Sequence, residues 1–373
     1  MSDASHAAAS APDPVGTVMT STKKSCIFCG AAFAGQKRNF EHIIPAWLVR
    51  EADLRSRDMQ VELPGISRKV AMSRIGLKVC KGCNDADSDL EARAKEAYLA
   101  VKGGEDLSDA HIYAMLDWLD KVRIGLWLWL IEQVGEEFRT GAPKFRINGR
   151  LGRKDRLLLI QRYPEGPPMR GLALQGLGEF YIGLPSAIGL LVNNISLTSI
   201  SSDFLALRHI RNVRVLQSST MGDLTGFSLV PDAVDEPRLK LLGGASTFAQ
   251  CILPDADFAE FDIPVHASSS REPGWSVSPV LRLDGNLREA APATASVPVF
   301  TGNVAANSVL MERNVYEAAA FLIRDLQRAD NHELDTEAKE ALSTDLRNAL
   351  ASVEAGRREL GMEYQSLTGL QLP

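Results

Sequence analysis

The chain has 373 residues, 45% of them hydrophobic and 24% charged, with a formal net charge of −6 at pH 7, the make-up of an ordinary globular protein and not of a fibrous or wholly disordered one. A single hydrophobic core rarely grows past ~250–300 residues, so the length predicts two domains. The longest apolar run, Ile124–Ile131, is far short of the roughly 20 residues that span a bilayer; Asp117, Asp120, Lys121 and Arg123 flank it, and it reads as a buried helix, not a membrane anchor.

Residues 1–22 are mostly Ala, Ser, Thr, Pro and Asp, with no basic start and no apolar stretch. They read as a disordered tail, not an export leader, which places the chain in the cytoplasm. In that reducing setting two Cys-x-x-Cys pairs, Cys26/Cys29 and Cys80/Cys83, point to zinc rather than to disulfides. Charge is uneven: residues 23–102 carry 15 Lys and Arg against 10 Asp and Glu, while the rest carries 26 against 37. The basic part is the one that holds the cysteines, as a protein gripping phosphates would need.

Lys23–Gly30 reads as a zinc knuckle, a tight turn with a thiolate at each end. Arg38–Ile44 has the β-branched and aromatic content of a short strand stopped by Pro45. Glu41 and His42 fall at its end. Neighbouring side chains of a regular strand point to opposite faces, so an irregular end is needed for both to serve one site. Ala46–Arg55 is expected to be a short surface helix, Met59–Leu63 a strand, Pro64-Gly65 a turn, and Lys69–Val79 the return to the second knuckle. From Asp85 the pattern is helical, with capping-box spacing at Ser88 and Glu91, an apolar stripe of Leu90, Ala94, Ala97, Tyr98 and Val101, and Gly103-Gly104 as its stop.

A linker at Gly103–Leu107 is expected to divide a module at 23–104 from a larger α+β domain at 105–373. The latter begins with a helix over Asp109–Val134, whose Trp118, Trp127 and Trp129 are core anchors. A mainly β region follows over 145–298, with apolar runs at Leu157–Ile160, Phe180–Ile182, Ile188–Val192, Val213–Leu216 and Leu239–Leu242. Residues 312–362 read as helical: Val315–Leu326 forms one stripe and Asp335 caps a longer helix. Cys251 is a small core residue. The fold class is therefore α+β, with a zinc-stapled module at its N-terminal end.

Four cysteines make a closed, structural zinc site with no open position, so any catalysis must come from other atoms. The segments CIFC, EHIIP and CKGCN together resemble the zinc-knuckle form of the HNH, or His-Me finger, endonucleases. The resemblance covers Ser25–Val101 and implies a ββα-metal fold. It implies that His42 is the general base, that Glu41 and Asn84 hold one Mg²⁺ or Mn²⁺, that Cys26, Cys29, Cys80 and Cys83 hold structural Zn²⁺, and that the partner is nucleic acid, DNA before RNA. An imidazole suits the base because it ordinarily titrates near neutrality, and oxygen ligands suit a hard cation.

The chain departs from the family pattern twice: Glu41 stands where Asp is frequent, and Ile75 where a middle Asn would orient the base. An alternative is a zinc-dependent module that binds nucleic acid or protein without cutting it. Plainer roles are a structural His42, an Asn84 that caps its helix, and Asp85, Asp87 and Asp89 as partners of the helix N-terminus. Lys37, Arg38, Lys78 and Lys81, and the run Arg150, Arg153, Lys154 and Arg156, are candidate phosphate contacts or solvated surface. By analogy alone, the setting is a bacterial defence or restriction-like effector, with target choice, regulation or homo-oligomerisation left to the C-terminal domain.

Overall fold

The computed structural model describes residues 25–33, 35, 38–53, 58–63, 66–71, 74–134, 154–166, 171–218, 224–230, 238–255, 274–283, 290–292, 296–331 and 334–372. The expected N-terminal tail and the Pro64-Gly65 turn lie outside these residues. In chain order the first elements are β1 (Asn39–His42), α1 (Ala46–Glu51), β2 (Asp58–Leu63), β3 (Ile66–Ala71), β4 (Gly76–Val79), α2 (Lys81–Gly103) and α3 (Asp109–Val134). Then come β5 (Asp155–Arg162), β6 (Leu172–Gln175), α4 (Glu179–Gly183), β7 (Ala187–Val192), β8 (Ile195–Ser202), α5 (Leu207–Ile210), β9 (Val213–Ser218), β10 (Leu224–Leu229), β11 (Ser246–Gln250), β12 (Ile252–Pro254), β13 (Trp275–Val277), β14 (Leu281–Leu283) and β15 (Ala290–Pro292). Two long helices, α6 (Val304–Arg328) and α7 (Thr336–Thr368), close an α+β fold.

β1 and β4 pair antiparallel, with Glu41 opposite Leu77 and His42 opposite Gly76. The hairpin β2–β3 and helix α1 are inserted between them. Pro45, with φ −68°, ends the extended segment and opens α1. That helix is not the surface helix expected: Trp47 and Leu48 are buried. The Trp47 ring lies 5.6 Å from Tyr98 of α2 and 5.7 Å from Trp118 of α3, so aromatic packing holds α1 inside.

Helix α2 starts at Lys81, directly after Cys80, and takes Cys83 into its first turn; Ser88 lies within the helix and its hydroxyl donates to the Asn84 carbonyl at 2.9 Å. Gly104, left-handed at φ 76°, ends it. Its neighbour α3 is buried almost all round between Ile112 and Leu130, the charged Asp120, Lys121 and Arg123 included. α2 and β4 cover one part of it, β8 and α4 another, and Trp127 donates its indole N–H to the Ile182 carbonyl at 2.7 Å. Among the described residues no helix is long and apolar enough to cross a membrane.

The larger sheet has seven antiparallel strands in the order β15-β14-β11-β5-β8-β7-β6. Every residue of β8 is buried, which requires cover on both faces, and both α3 and α6 pack against it. The run Phe180–Ile182, expected as strand, forms α4, and Leu239–Leu242 lies outside the strands. Asn303 caps α6 through the Ala306 N–H at 3.0 Å and Asp335 caps α7 through the Ala338 N–H at 2.8 Å. One hydrophobic core runs without a break from Cys26 and Phe28 through Trp118 to Leu158 and Val353.

Candidate metal centres

The first knuckle is a turn closed by Gly30 N–H donating to the Cys26 carbonyl at 2.7 Å, with Gly30 itself left-handed at φ 72°. Ile27 N–H reaches the Lys78 carbonyl of β4, which sets this turn beside the second knuckle. The Sγ atoms of Cys26, Cys29, Cys80 and Cys83 all lie within 4.8 Å of one another, and those of Cys29 and Cys80 are 3.8 Å apart. A tetrahedral ion with Zn–S of ~2.3 Å holds its sulfurs ~3.8 Å apart. The four cysteines thus fit a metal such as zinc by number, chemistry and spacing.

Burial pushes the Cys26 and Cys83 thiols up, while the backbone N–H of Cys83 draws the Cys80 thiol down. Ala31 N–H donates to Cys29 Sγ at 3.5 Å, a donor suited to a thiolate. Binding would deprotonate the set outright, because a bound cation inverts the local preference. Cys251 stands apart, fully buried in the core.

The three residues expected to do chemistry are arranged differently from the expectation. The β1–β4 ladder stays in register through His42, so the strand alternates to its last residue. Glu41 therefore points inward, 8% exposed, and His42 points outward, against the edge of the half-exposed Phe40 ring at 5.2 Å. The irregular end that would have aimed both side chains to one side is absent. Gly76, opposite His42, has no room for a Cβ, which would collide with the Phe40 ring and the Glu41 carbonyl.

Asn84 lies in the first turns of α2. Cys80, not Asn84, occupies the N-cap position, and the Asn84 backbone N–H bonds the Cys80 carbonyl at 3.1 Å. Ile75, in place of a polar orienting residue, is fully buried and accepts the Ile43 N–H at 3.1 Å through its carbonyl. It packs and supports β1. It has no polar side chain to turn an imidazole.

Glu41 instead meets a cation from α3. The Lys121 ammonium, 2% exposed, donates to Glu41 Oε1 and, at 2.8 Å, to Glu91 Oε1 of α2. Burial works against that charge, yet Glu91, Glu41 and Asp87 together raise the Lys121 pKa. Asp87, expected as a partner of the helix N-terminus, is 7% exposed. Its Oδ2 has no hydrogen-bond partner, and burial pushes its pKa up to about 7 against the pull of Lys121. Glu91 is raised by burial as well.

A signal for this cluster was present in the sequence. Asp87 and Glu91 are four residues apart, hence on one face of α2, and flank Leu90 on the apolar stripe; like charges at that spacing repel and call for a cation.

The basic candidates divide. Arg38 and Lys78 are exposed near β1, Arg38 lying over the Phe33 ring at 5.3 Å, and Lys81 pairs with Asp85 on the surface of α2. Arg156 does not extend a phosphate path: it is buried, bonded to Asp117 at 2.6 Å and to Gln250. Lys154 pairs with Asp203 at 2.8 Å. Lys37, Arg150 and Arg153 lie outside the described residues. Comparison with protein-family models, with curated proteins and with solved structures finds no match to this chain.

Proposed function

We propose that the chain is a metal-dependent phosphodiester hydrolase of the HNH, or His-Me finger, kind, acting on nucleic acid and on DNA before RNA. The observation that carries this reading is the ββα unit itself. A strand ending in Glu41-His42 pairs with β4, four sulfurs gather beside the pair, and α2 leaves the second knuckle with Asn84 in its first turns. Strand pair, cysteine cluster and following helix thus lie together, which supports the reading, while Glu41 and His42 face opposite sides of β1.

On this reading the outer face of β1 receives the substrate. Lys78, opposite Phe40 in the ladder, and Arg38 offer charge to phosphates. His42 takes the proton from the water that attacks phosphorus, and the Phe40 edge limits how its ring can turn. Glu41 faces inward and is held by Lys121, so its carboxylate would have to leave Lys121 and turn toward the His42 side to hold, with Asn84, a hard divalent cation, which would offset charge on the phosphorane and the departing oxygen. A reducing compartment such as the cytoplasm keeps the four thiols free for zinc.

The second reading is a zinc-dependent module that holds nucleic acid or protein without cutting. The engagement of Glu41 by Lys121 favours it. One experiment separates the two: full-length protein and His42→Ala, at matched zinc content, incubated with supercoiled plasmid, single-stranded DNA and RNA in Mg²⁺, Mn²⁺ or EDTA. Metal-dependent nicking that vanishes in the variant is the expected result. Absence of cutting on every substrate by folded, zinc-loaded protein would overturn the hydrolase reading.

A further inference from the structure

We infer that the outer face of the β1–β4 pair takes single-stranded nucleic acid, with the Phe40 ring as the platform on which one base stacks. The inference deepens the proposed function by naming the form of the substrate, and it rests on that reading for nucleic acid as the ligand.

Alternation along the two strands sorts their side chains. Phe40 and His42 of β1 stand opposite Lys78 and Gly76 of β4, and these four make up the outward face. None of them is acidic, and the one acid of β1, Glu41, faces inward. Phe40 is 45% exposed, and among the described residues no other aromatic side chain is exposed.

An exposed apolar side chain needs no explanation by itself. What sets Phe40 apart is that its place is kept. Its Cε1 and Cζ atoms lie where a Cβ at position 76 would collide with them, so glycine there lets the ring rest over β4. At its side the His42 ring stands nearly perpendicular, with planes at 79° and centroids 5.2 Å apart. Held in this way, the residue still leaves nearly half of its surface open.

Two cations flank the ring. Lys78 is exposed and lies directly across the ladder, where paired side chains stand ~5 Å apart. Arg38, two residues before Phe40, is exposed as well, and its guanidinium is held over the buried Phe33 ring at 5.3 Å. An apolar ring between two positive charges matches one nucleotide, which offers a base face and a phosphate on either side.

The match is to an unpaired base. In a duplex the base faces are covered by stacked neighbours, and a protein meets groove edges and phosphates instead. A single strand leaves its base faces free for aromatic side chains. A base stacked on Phe40 also brings the adjoining phosphate to the His42 side, so the ring sets which bond His42 reaches. Stacking adds affinity without releasing counter-ions, whereas Lys78 adds it by releasing them. The two contributions therefore separate by salt.

The test uses full-length, zinc-loaded protein without added Mg²⁺ or Mn²⁺, so that nothing is cut. The probe is one labelled sequence, as a DNA strand, as an RNA strand and as DNA annealed to its complement, with binding read by fluorescence anisotropy over a range of NaCl. Either single strand is expected to bind several-fold more tightly than the duplex, a comparison that needs no variant. Phe40→Leu keeps apolar bulk and removes the π face; it should weaken single-strand binding about tenfold, the loss of one stacked base, with an unchanged salt slope. Phe40→Tyr should bind as the wild type does. Lys78→Ala should instead reduce the salt slope by about 0.7, the share of one phosphate contact.

A duplex bound as tightly as the single strands, single-strand affinity indifferent to Phe40→Leu, or no binding of any probe would overturn the inference. Single strands bound in the expected pattern, with no His42-dependent cutting once Mg²⁺ or Mn²⁺ is added, uphold it and sink the hydrolase. Cutting that needs His42, by protein whose single-strand affinity ignores Phe40→Leu, does the reverse.

Discussion

Replacing Cys29 by Ser removes one of four sulfurs from the cysteine cluster, and the size of the effect can be worked from the geometry. The spacing of 3.8 Å between Cys29 and Cys80 is that of sulfurs on a shared tetrahedral ion. Structural zinc sites contribute ~10–16 kcal/mol of apparent binding free energy, so one sulfur in four carries about 3–4 kcal/mol, or two to three orders of magnitude in zinc affinity. Complete removal by a chelator costs as much as the whole stability of a typical domain, ~5–15 kcal/mol. The strands that depend on the cluster, β1 and β4, have four residues each and form a two-stranded sheet, which is not stable alone.

Helix α3 has its own anchors in Trp118, Trp127 and the seven-stranded sheet. Hydrogen exchange on zinc-stripped protein should therefore show rapid exchange in both knuckles, β1, β4 and the first turns of α2, with protection retained in α3, β5 and β8. Undiminished protection of β1 and β4 after stripping, or unchanged zinc affinity in Cys29→Ser, would refute the reasoning.

Gly76→Ala would drive a methyl group into the Phe40 ring and the Glu41 carbonyl, at a cost of about 1–3 kcal/mol; urea denaturation should show it, and the His42 ring resonances should move because Phe40 is displaced. Asp155 is fully buried, accepts N–H groups of Leu207 and Ile252 at 2.8 Å each, and is pushed up to about 7 by burial. Its folded pKa lies above its unfolded value, so its contribution is complete below pH ~4 and is lost as pH rises through about 7, by roughly 4 kcal/mol in all. Denaturation midpoints between pH 4 and 8 should fall with rising pH by more in the wild type than in Asp155→Asn, which keeps the shape and cannot titrate.

How far the fold could be read in advance depended on whether the deciding interaction was local. The spacing of Cys26, Cys29, Cys80 and Cys83 announced a metal cluster because thiol pairs with two residues between them have few other uses outside an oxidising setting. Helix α3 was legible from its tryptophans and the apolar run Ile124–Ile131, and Asp335 from the local chemistry of a cap. The run Phe180–Ile182 was misread because three apolar residues fit a strand or a helical turn equally, and contact with α3 and α7 decides between them.

The inward turn of Glu41 was not legible for a related reason. Which face a strand residue takes depends on the register of its partner, here β4, more than thirty residues away. The burial of Lys121 and Arg156 was hidden because a charged residue is expected at the surface unless its partners are known. Those partners, Glu41 and Glu91 for one and Asp117 and Gln250 for the other, come from distant parts of the chain.

Helix α3 is the element through which the rest of the chain bears on Glu41. Ile43, directly after β1, packs against Gly125, where an added Cβ would lie 3.2 Å from its side chain. One turn earlier Lys121 holds Glu41, and Trp118 faces Trp47. From the same helix Asp117 and Asp120 hold Arg156 of β5, so the position of Lys121 is tied to the central sheet. A fragment cut at residue 104 would lose this wall: it would bare Trp47 and Tyr98, and it would leave Glu41, Asp87 and Glu91 as three carboxylates with no cation among them. Such a fragment would report on a different electrostatic site from the one in the intact protein. Any control of Glu41 by the larger part of the chain has a physical route of two ion pairs on a single helix, about one turn apart, and that route exists only in the full-length protein.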